Sequence, residues 1–487
     1  MESKDSIKHT AKKGLLWGGF FSISSQLVSL FFSIIIARIL QPSDFGLVAM
    51  LGIFTSLATV FQESGFVFVL TNRKNVTQED YSTVFWFNIT VSLFIYILFF
   101  FSAQMIADFY NQPVLKDLSR IVFLGFFFSS FGVVQSAYLY KNLKVYEKGI
   151  AGLVALIISG IAGYILAKRG FGYWGIALQG VLNVVITTII LWFYSPFRPR
   201  LVFSIDFLKE SIPDSIRFAF PNLFSIVSEN FYAVILGKSF SAGDVGLFNQ
   251  ATKINNAGSA SILGMMRNVS QPVLVKVRDA SGDALNAFRK LFRLSAFLSA
   301  FVLVSVSLVS QELIVLVFTD KWNGVSPILQ ILCFGGIAMI LSTLFSYLVM
   351  SQNNSRVYMW MGIFSSILKI ALLVIASLGG NVLWIALASI VTDIFYFVVY
   401  YIIVKKEYDY SLKNLFSDLG PLLIAAFFPY ILLQNLSSWI HSDLTLLLVR
   451  LFLFSVLYLG ICFLFRYDIV YEVFFSICNK IKRFRRM

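Results

Sequence analysis

Apolar residues run in long blocks, separated by short polar connections, from residue 14 almost to the C-terminus. A helix needs about 20 such residues to cross the ~30 Å of bilayer hydrocarbon, so each block predicts a membrane-spanning helix. Fourteen are predicted, at about 14–40, 45–70, 82–109, 118–139, 149–167, 172–194, 216–236, 245–275, 291–309, 325–350, 357–378, 382–404, 419–433 and 444–465. The first block follows the polar, basic start MESKDSIKHTAKKG. It exceeds the apolar core of a signal peptide and reads as a retained span.

Alternate connections carry most of the Lys and Arg: residues such as Lys12, Lys13, Arg73, Lys74, Lys141, Lys144, Arg198, Arg200, Arg289, Arg293, Lys405 and Lys406 lie on one side. The basic C-terminal tail falls on that side too, while stretches such as LGGN and QNLSSWIHSD on the other hold none. Cations accumulate in the cytoplasm. The asymmetry therefore predicts an even number of spans, with both termini cytoplasmic.

Composition sharpens the picture: 58% of the 487 residues are hydrophobic and 13% charged, with a mean hydropathy of +0.80, far from a soluble average. The formal charge of +14 sits in short pieces beside apolar runs, so it reads as a topology signal and not as a nucleic-acid surface. Cys333, Cys462 and Cys478 show no metal or disulfide spacing, and neither a metal nor a cofactor is expected. The longest connection, 195–215, is too short for a folded domain. The C-terminal DIVYEVFFSICNKIKRFRR reads as a topology anchor or as an amphipathic helix on anionic lipid.

One internal repeat stands out. Arg38, Asp44, Gly46 and Leu47, in ARILQPSDFGLV, recur 200 residues later as Lys238, Asp244, Gly246 and Leu247, in GKSFSAGDVGLF. Each copy joins the first two spans of its half, with six spans between copies, which implies a parallel pseudo-two-fold along the membrane normal. Each Asp is placed to accept from free helix N–H groups, and each Gly allows close backbone approach. The predicted fold is an all-α polytopic membrane protein: six-helix lobes at 1–200 and 201–407, then two further helices and a basic tail at 408–487.

With these residues in view, the chain resembles the polysaccharide transporter family, the O-antigen and capsule flippases of the multidrug/oligosaccharidyl-lipid/polysaccharide exporter superfamily. The resemblance is carried by KKGLLWGGFFSISSQLVSLFFSIIIARILQPSDFGLVAM, by QESGF at 62–66 and by the repeated D-x-G-L turn at Asp244. It implies a V-shaped pair of six-helix bundles with a central cavity, plus two C-terminal helices. It also implies alternating access that moves a polyprenyl-pyrophosphate-linked oligosaccharide outward for surface polysaccharide assembly, without catalysis. Glycan polymerase and glycosyltransferase partners, membrane lipids around the helices, and a coupling ion, H+ or Na+, belong to the same expectation.

Ionisable and polar groups at membrane depth are costly unless paired or facing water. At about 100° per residue, Asn249, Lys253, Asn256, Arg267 and Gln271 fall on one narrow stripe of the eighth span. Two readings stand: a cavity wall whose cations meet phosphate, or a face buried by interhelical pairing. Glu229, nine residues before Lys238, and Lys253, nine after Asp244, lie at a common depth of ~14 Å, as candidate partners. Glu63 and Arg267 similarly share a depth on the cytoplasmic side and form a candidate gate. Lys369 and Asp393 are expected near mid-membrane on consecutive spans, as an ion pair or a coupling-ion site.

Two rival functions share these features. One is a cation-coupled multidrug exporter on the same fold. The other, a membrane glycan polymerase or ligase, fits poorly with connections that are short and hold few acids. The chain lacks GxxxxGK[ST] and has no domain for an ATP-driven pump.

Overall fold

The structure, a computed structural model, describes residues 4–63, 69–71, 73, 75–279, 284–351, 355–408, 410–440, 442–465 and 467. The described residues are overwhelmingly helical, with no strand among them. In chain order the helices are α1 (Lys4–Ile39), α2 (Pro42–Met50), α3 (Gly52–Glu63), α4 (Gln78–Tyr110), α5 (Leu115–Lys141), α6 (Val145–Lys168), α7 (Tyr173–Tyr194) and α8 (Ile205–Ser239). The series continues with α9 (Ala242–Asp279), α10 (Ala284–Leu308), α11 (Ser310–Phe318), α12 (Val325–Ser351), α13 (Ser355–Ser377), α14 (Val382–Tyr408), α15 (Leu412–Gln434) and α16 (Asp443–Leu464).

Among the described residues, twelve helical segments are long and apolar enough to cross a membrane, the second being the run Pro42–Val60 through α2 and α3. The expected fourteen, an approximate count, adds α8 and α9. These have 35 and 38 residues, ample for a crossing, yet neither is in the apolar set. In α9 the reason is visible in sequence: Lys253, Asn255, Asn256, Arg267, Asn268 and Gln271 interrupt it.

Helix ends follow local chemistry. The α4 N-terminus is a capping box, in which Thr77 Oγ1 accepts from the Asp80 amide at 3.2 Å and Asp80 Oδ2 accepts from the Thr77 amide at 2.9 Å. It ends at Asn111, whose φ of 53° is the left-handed conformation Asn tolerates. The connection expected over 195–215 is shorter than the sequence suggested: α8 begins at Ile205, where Ser204 Oγ accepts from the Phe207 amide at 3.3 Å. The stretch before it lies along α4, with the Arg200 amide donating to Ser82 Oγ at 3.1 Å and the Ser204 amide to Thr83 Oγ1 at 2.9 Å. Its backbone groups thus find partners although no helix supplies them.

The chain packs as two compact units, Met1–Asn249 and Gln250–Met487. In the first, α5 packs against α4 and α7, α6 against α1 and α7, and α8 against α2, α3 and α4. Its core at one end joins Tyr81, Phe85, Val134, Phe197 and Phe207. In the second, α12 is central, packed on α10 and α14, while α15 and α16 pack on each other and on α10. Phe288, Phe292, Phe345 and Tyr410 form its aromatic centre, with Phe292 and Phe345 rings 5.2 Å apart. The packing division at 249 differs from the sequence-repeat boundary near 200 because α8 rests on first-half helices.

Candidate functional site

The two repeated turns open α2 and α9. In the first, Asp44 Oδ2 accepts from the Gln41 amide at 3.0 Å, and Oδ1 accepts from the Tyr173 amide at the start of α7 at 3.1 Å. In the second, Asp244 Oδ2 accepts from the Ser241 amide at 3.1 Å and from Ser241 Oγ at 2.7 Å. Each carboxylate sits in the first turn of its helix, where unpaired N–H groups and the macrodipole favour negative charge.

The turns also meet. A Cβ on Gly46 would lie 1.7 Å from the Ala242 carbonyl oxygen, and one on Gly246 would lie 1.8 Å from the Pro42 carbonyl oxygen. With the offset of 200, residue 46 faces the counterpart of 42 and residue 246 faces 42 itself. That reciprocity is the signature of an isologous contact across a two-fold axis. Asp44 and Asp244 therefore lie at the same end of the helices they open.

Along α9, Ala251, Asn255, Ser259, Ile262, Met266, Ser270 and Leu274 are buried, at the three- and four-residue spacing of one packed face. Lys253, Asn256 and Ala260 are exposed on the other side, and Asn249 is half-buried. A Cβ on Gly264 would meet nothing within 4 Å. From Lys253 to Ala260 the polar stripe thus lies on the exposed side of α9. The side chains of Arg267 and Gln271 on the same stripe, and of Glu63, lie outside the described residues.

Glu229 is exposed on α8 and accepts from Ser225 Oγ at 3.3 Å in its own helix. Lys369 on α13 and Asp393 on α14 are half-buried and within electrostatic reach of each other. Asp393 Oδ2 would stand 3.0 Å from a Cβ on Gly335 of α12, so a glycine makes room for the carboxylate. A lysine, a carboxylate and a glycine, each from a different helix, therefore come together there.

Three polar constellations escaped the sequence reading. Asp418 on α15 is fully buried, and receives Arg289 through Nε and Nη2, both at 2.9 Å, Arg293 Nε at 2.6 Å and the Tyr410 hydroxyl at 2.9 Å. Burial and the Asp418 charge push the Tyr410 hydroxyl up, so it remains a donor. On α16, buried Arg450 bonds Glu312 of α11 at 2.5 Å and the carbonyls of Leu433 and Gln434 at 3.2 and 2.7 Å. A buried charge left by removal of its partner is expensive, so both clusters fasten the last two helices to the second unit. Within the first unit, buried Gln62 donates to Ser92 Oγ at 2.6 Å and the Phe126 carbonyl at 2.9 Å, and accepts from Ser129 Oγ at 2.6 Å. Arg450, a cation inside an apolar run, was the signal available; Arg289 and Arg293 were read only as topology markers.

Residues 35–327 match the family model described as polysaccharide biosynthesis protein. The chain is 21% identical to the lipopolysaccharide biosynthesis protein WzxC of Escherichia coli K12 over 82% of each chain. It is 20% identical to the succinoglycan biosynthesis transport protein ExoT of Rhizobium meliloti over 87% of each. In structure it is similar to the lipid II flippase MurJ in an inward closed conformation, with a TM-score of 0.74, 16% identity, and coverage of 93% of this chain and 99% of that one. An inward-facing multidrug resistance MATE transporter gives a TM-score of 0.62 at 16% identity, covering 80% of this chain and 95% of that one.

Proposed function

The chain belongs to the polysaccharide biosynthesis protein family, and from that premise we propose that it is a flippase for a polyprenyl-pyrophosphate-linked oligosaccharide in surface polysaccharide assembly. The observation that carries this reading is the family match, which runs from the end of α1 to the start of α12. The chain is then a multi-pass transporter and not an enzyme. Orientation follows from the cationic connections: both termini are cytoplasmic, in the bacterial inner membrane. Two pseudo-symmetric six-helix lobes, at 1–200 and 201–407, alternate access, with 408–487 as an appendage.

The polar stripe of α9 is the substrate-facing wall. A pyrophosphate dianion cannot leave water cheaply unless fixed cations offset the lost hydration. Lys253 supplies one, and Arg267, fourteen residues on and so on the same helix face, supplies the second. Asn249, Asn256 and Gln271 offer donors and acceptors for sugar hydroxyls. Glu63 and Glu229 compete for the cations in one conformation and release them in the other, which gives the two states different affinity for the anion. The Lys369–Asp393 site is where a coupling H+ or Na+ would act, and a glycan polymerase and glycosyltransferases are the fitting partners.

The test is surface glycan in cells that carry each variant at matched membrane abundance. Lys253→Gln with Arg267→Gln should abolish export, while Arg267→Lys keeps more of it than Arg267→Gln. Full export by the double variant overturns the phosphate clamp. The MATE-like fold favours a second reading, multidrug export, for which deletion of the chain would raise drug susceptibility and leave surface glycan intact.

A further inference from the structure

The crossing of the two repeated turns lies outside the substrate wall just described. Its contacting atoms are backbone: the carbonyl oxygens of Pro42 and Ala242 each occupy space that any side chain at residue 246 or 46 would need. Gly46 and Gly246 are both buried. In each, the Cα hydrogen points where a Cβ would stand, toward the opposing carbonyl, a weak C–H···O geometry made twice by symmetry. Gly243 in the second turn offers a contrast, since its Cβ would approach only Ser241 Oγ at 3.4 Å, an ordinary contact.

Both turns are braced from behind. Asp44 and Asp244 hold their own helix starts, and Asp44 also holds α7 through Tyr173. Close by, Gly237 near the end of α8 meets the Tyr110 ring and Met50, an added Cβ falling 2.8 Å from Tyr110 Cε1 and 3.0 Å from Met50 Cγ. Lys238 Nζ donates to the Phe109 carbonyl at 2.7 Å. Rigid supports therefore surround an adhesive contact that is itself weak. Along α9, Asn249 and Lys253 lie three and seven residues beyond Gly246, about 5 and 10 Å along the axis. The crossing thus caps the head of the polar stripe.

We propose that the Gly46–Gly246 crossing is the closed latch of the transport path at the face on which the turns lie, a side-chain-free backbone seal that parts when that face opens. The inference rests on the transport reading for its purpose and on the glycine geometry for its mechanism. A static packing contact would gain from filled apolar volume. A latch must instead close tightly and release without dragging interdigitated side chains apart, which a glycine-on-carbonyl crossing permits.

The experiment uses the full chain with Cys333, Cys462 and Cys478 replaced by Ala and a single reporter, Asn249→Cys, labelled in intact cells with a membrane-impermeant maleimide. Gly46→Ala and Gly246→Ala hold the crossing apart, so each should raise labelling by about threefold or more as the population shifts toward the open state. The two together should do no more than either alone, because both remove one reciprocal contact. Gly243→Ala should label as the parent does. Labelling unchanged by Gly46→Ala and Gly246→Ala overturns the latch. So does failure of either variant to accumulate in the membrane while Gly243→Ala accumulates, which would assign the crossing to folding. Labelling needs no substrate, so its outcome stands apart from the glycan-export test: a latch that responds in cells whose glycan does not depend on this chain would keep the gate and discard the cargo.

Discussion

The turns at 41–47 and 241–247 carry the same Asp and Gly 200 residues apart, yet they are held differently. The second is self-contained, since both donors to Asp244 come from Ser241. The first divides its carboxylate between its own helix and the start of α7. There Gly172, with φ 54° and ψ −132°, brings the chain so close that an added Cβ would stand 3.1 Å from Asp44 Oδ1. The repeated motif thus caps its helix in both places and also anchors a second helix in one. The neighbouring helix end makes the difference, because a carboxylate has more acceptor sites than a single cap uses.

Substitutions test this asymmetry in order of size. Asp44→Ala removes acceptors from two helices and should lower stability by about 3 kcal/mol, against about 1 kcal/mol for Asp244→Ala, read from thermal unfolding in detergent. Equal losses would erase the comparison. Gly172→Ala forces a side chain into a glycine-only backbone region and should cost about 2 kcal/mol. Combined with Asp44→Ala it should cost less than the sum, since the two share one contact. Gly46→Ala and Gly246→Ala should cost about 1–2 kcal/mol each and match each other, because opening the crossing relieves the clash at the loss of two weak C–H···O contacts. A mismatch would mean that the crossing is not symmetric in energy. Smallest is the cap pair: Ser241→Ala should cost about 1 kcal/mol and Gln41→Ala under about 0.5, because Asp244 donates its amide to Ser241 Oγ at 3.1 Å while Asp44 donates its amide to the Gln41 carbonyl, at 3.1 Å too.

A different contrast separates the polar groups that were legible from those that were not. The α9 stripe could be read because its residues are regularly spaced on one helix, and helical periodicity projects them onto one face. Arg289 and Arg293 lie 129 and 125 residues from Asp418, and Arg450 and Glu312 are 138 apart. No local period links them. All but Arg450 sit near a block boundary, where a charge looks like a topology signal.

What the chain's own order of residues determined is the approximate number and rough position of its long apolar helices, the solvent they live in, the repeat and the polar face of α9. These depend on hydrocarbon thickness, the helical period and local capping, all of which act over a few residues at a time. The tertiary structure alone decided that α8 packs with first-half helices, that buried ion clusters fasten the last two helices, and that Gly46 and Gly246 cross backbone to backbone. Those outcomes depend on which surfaces come within a few ångströms after folding, and contacts between distant segments leave no period in the sequence for a reader to find.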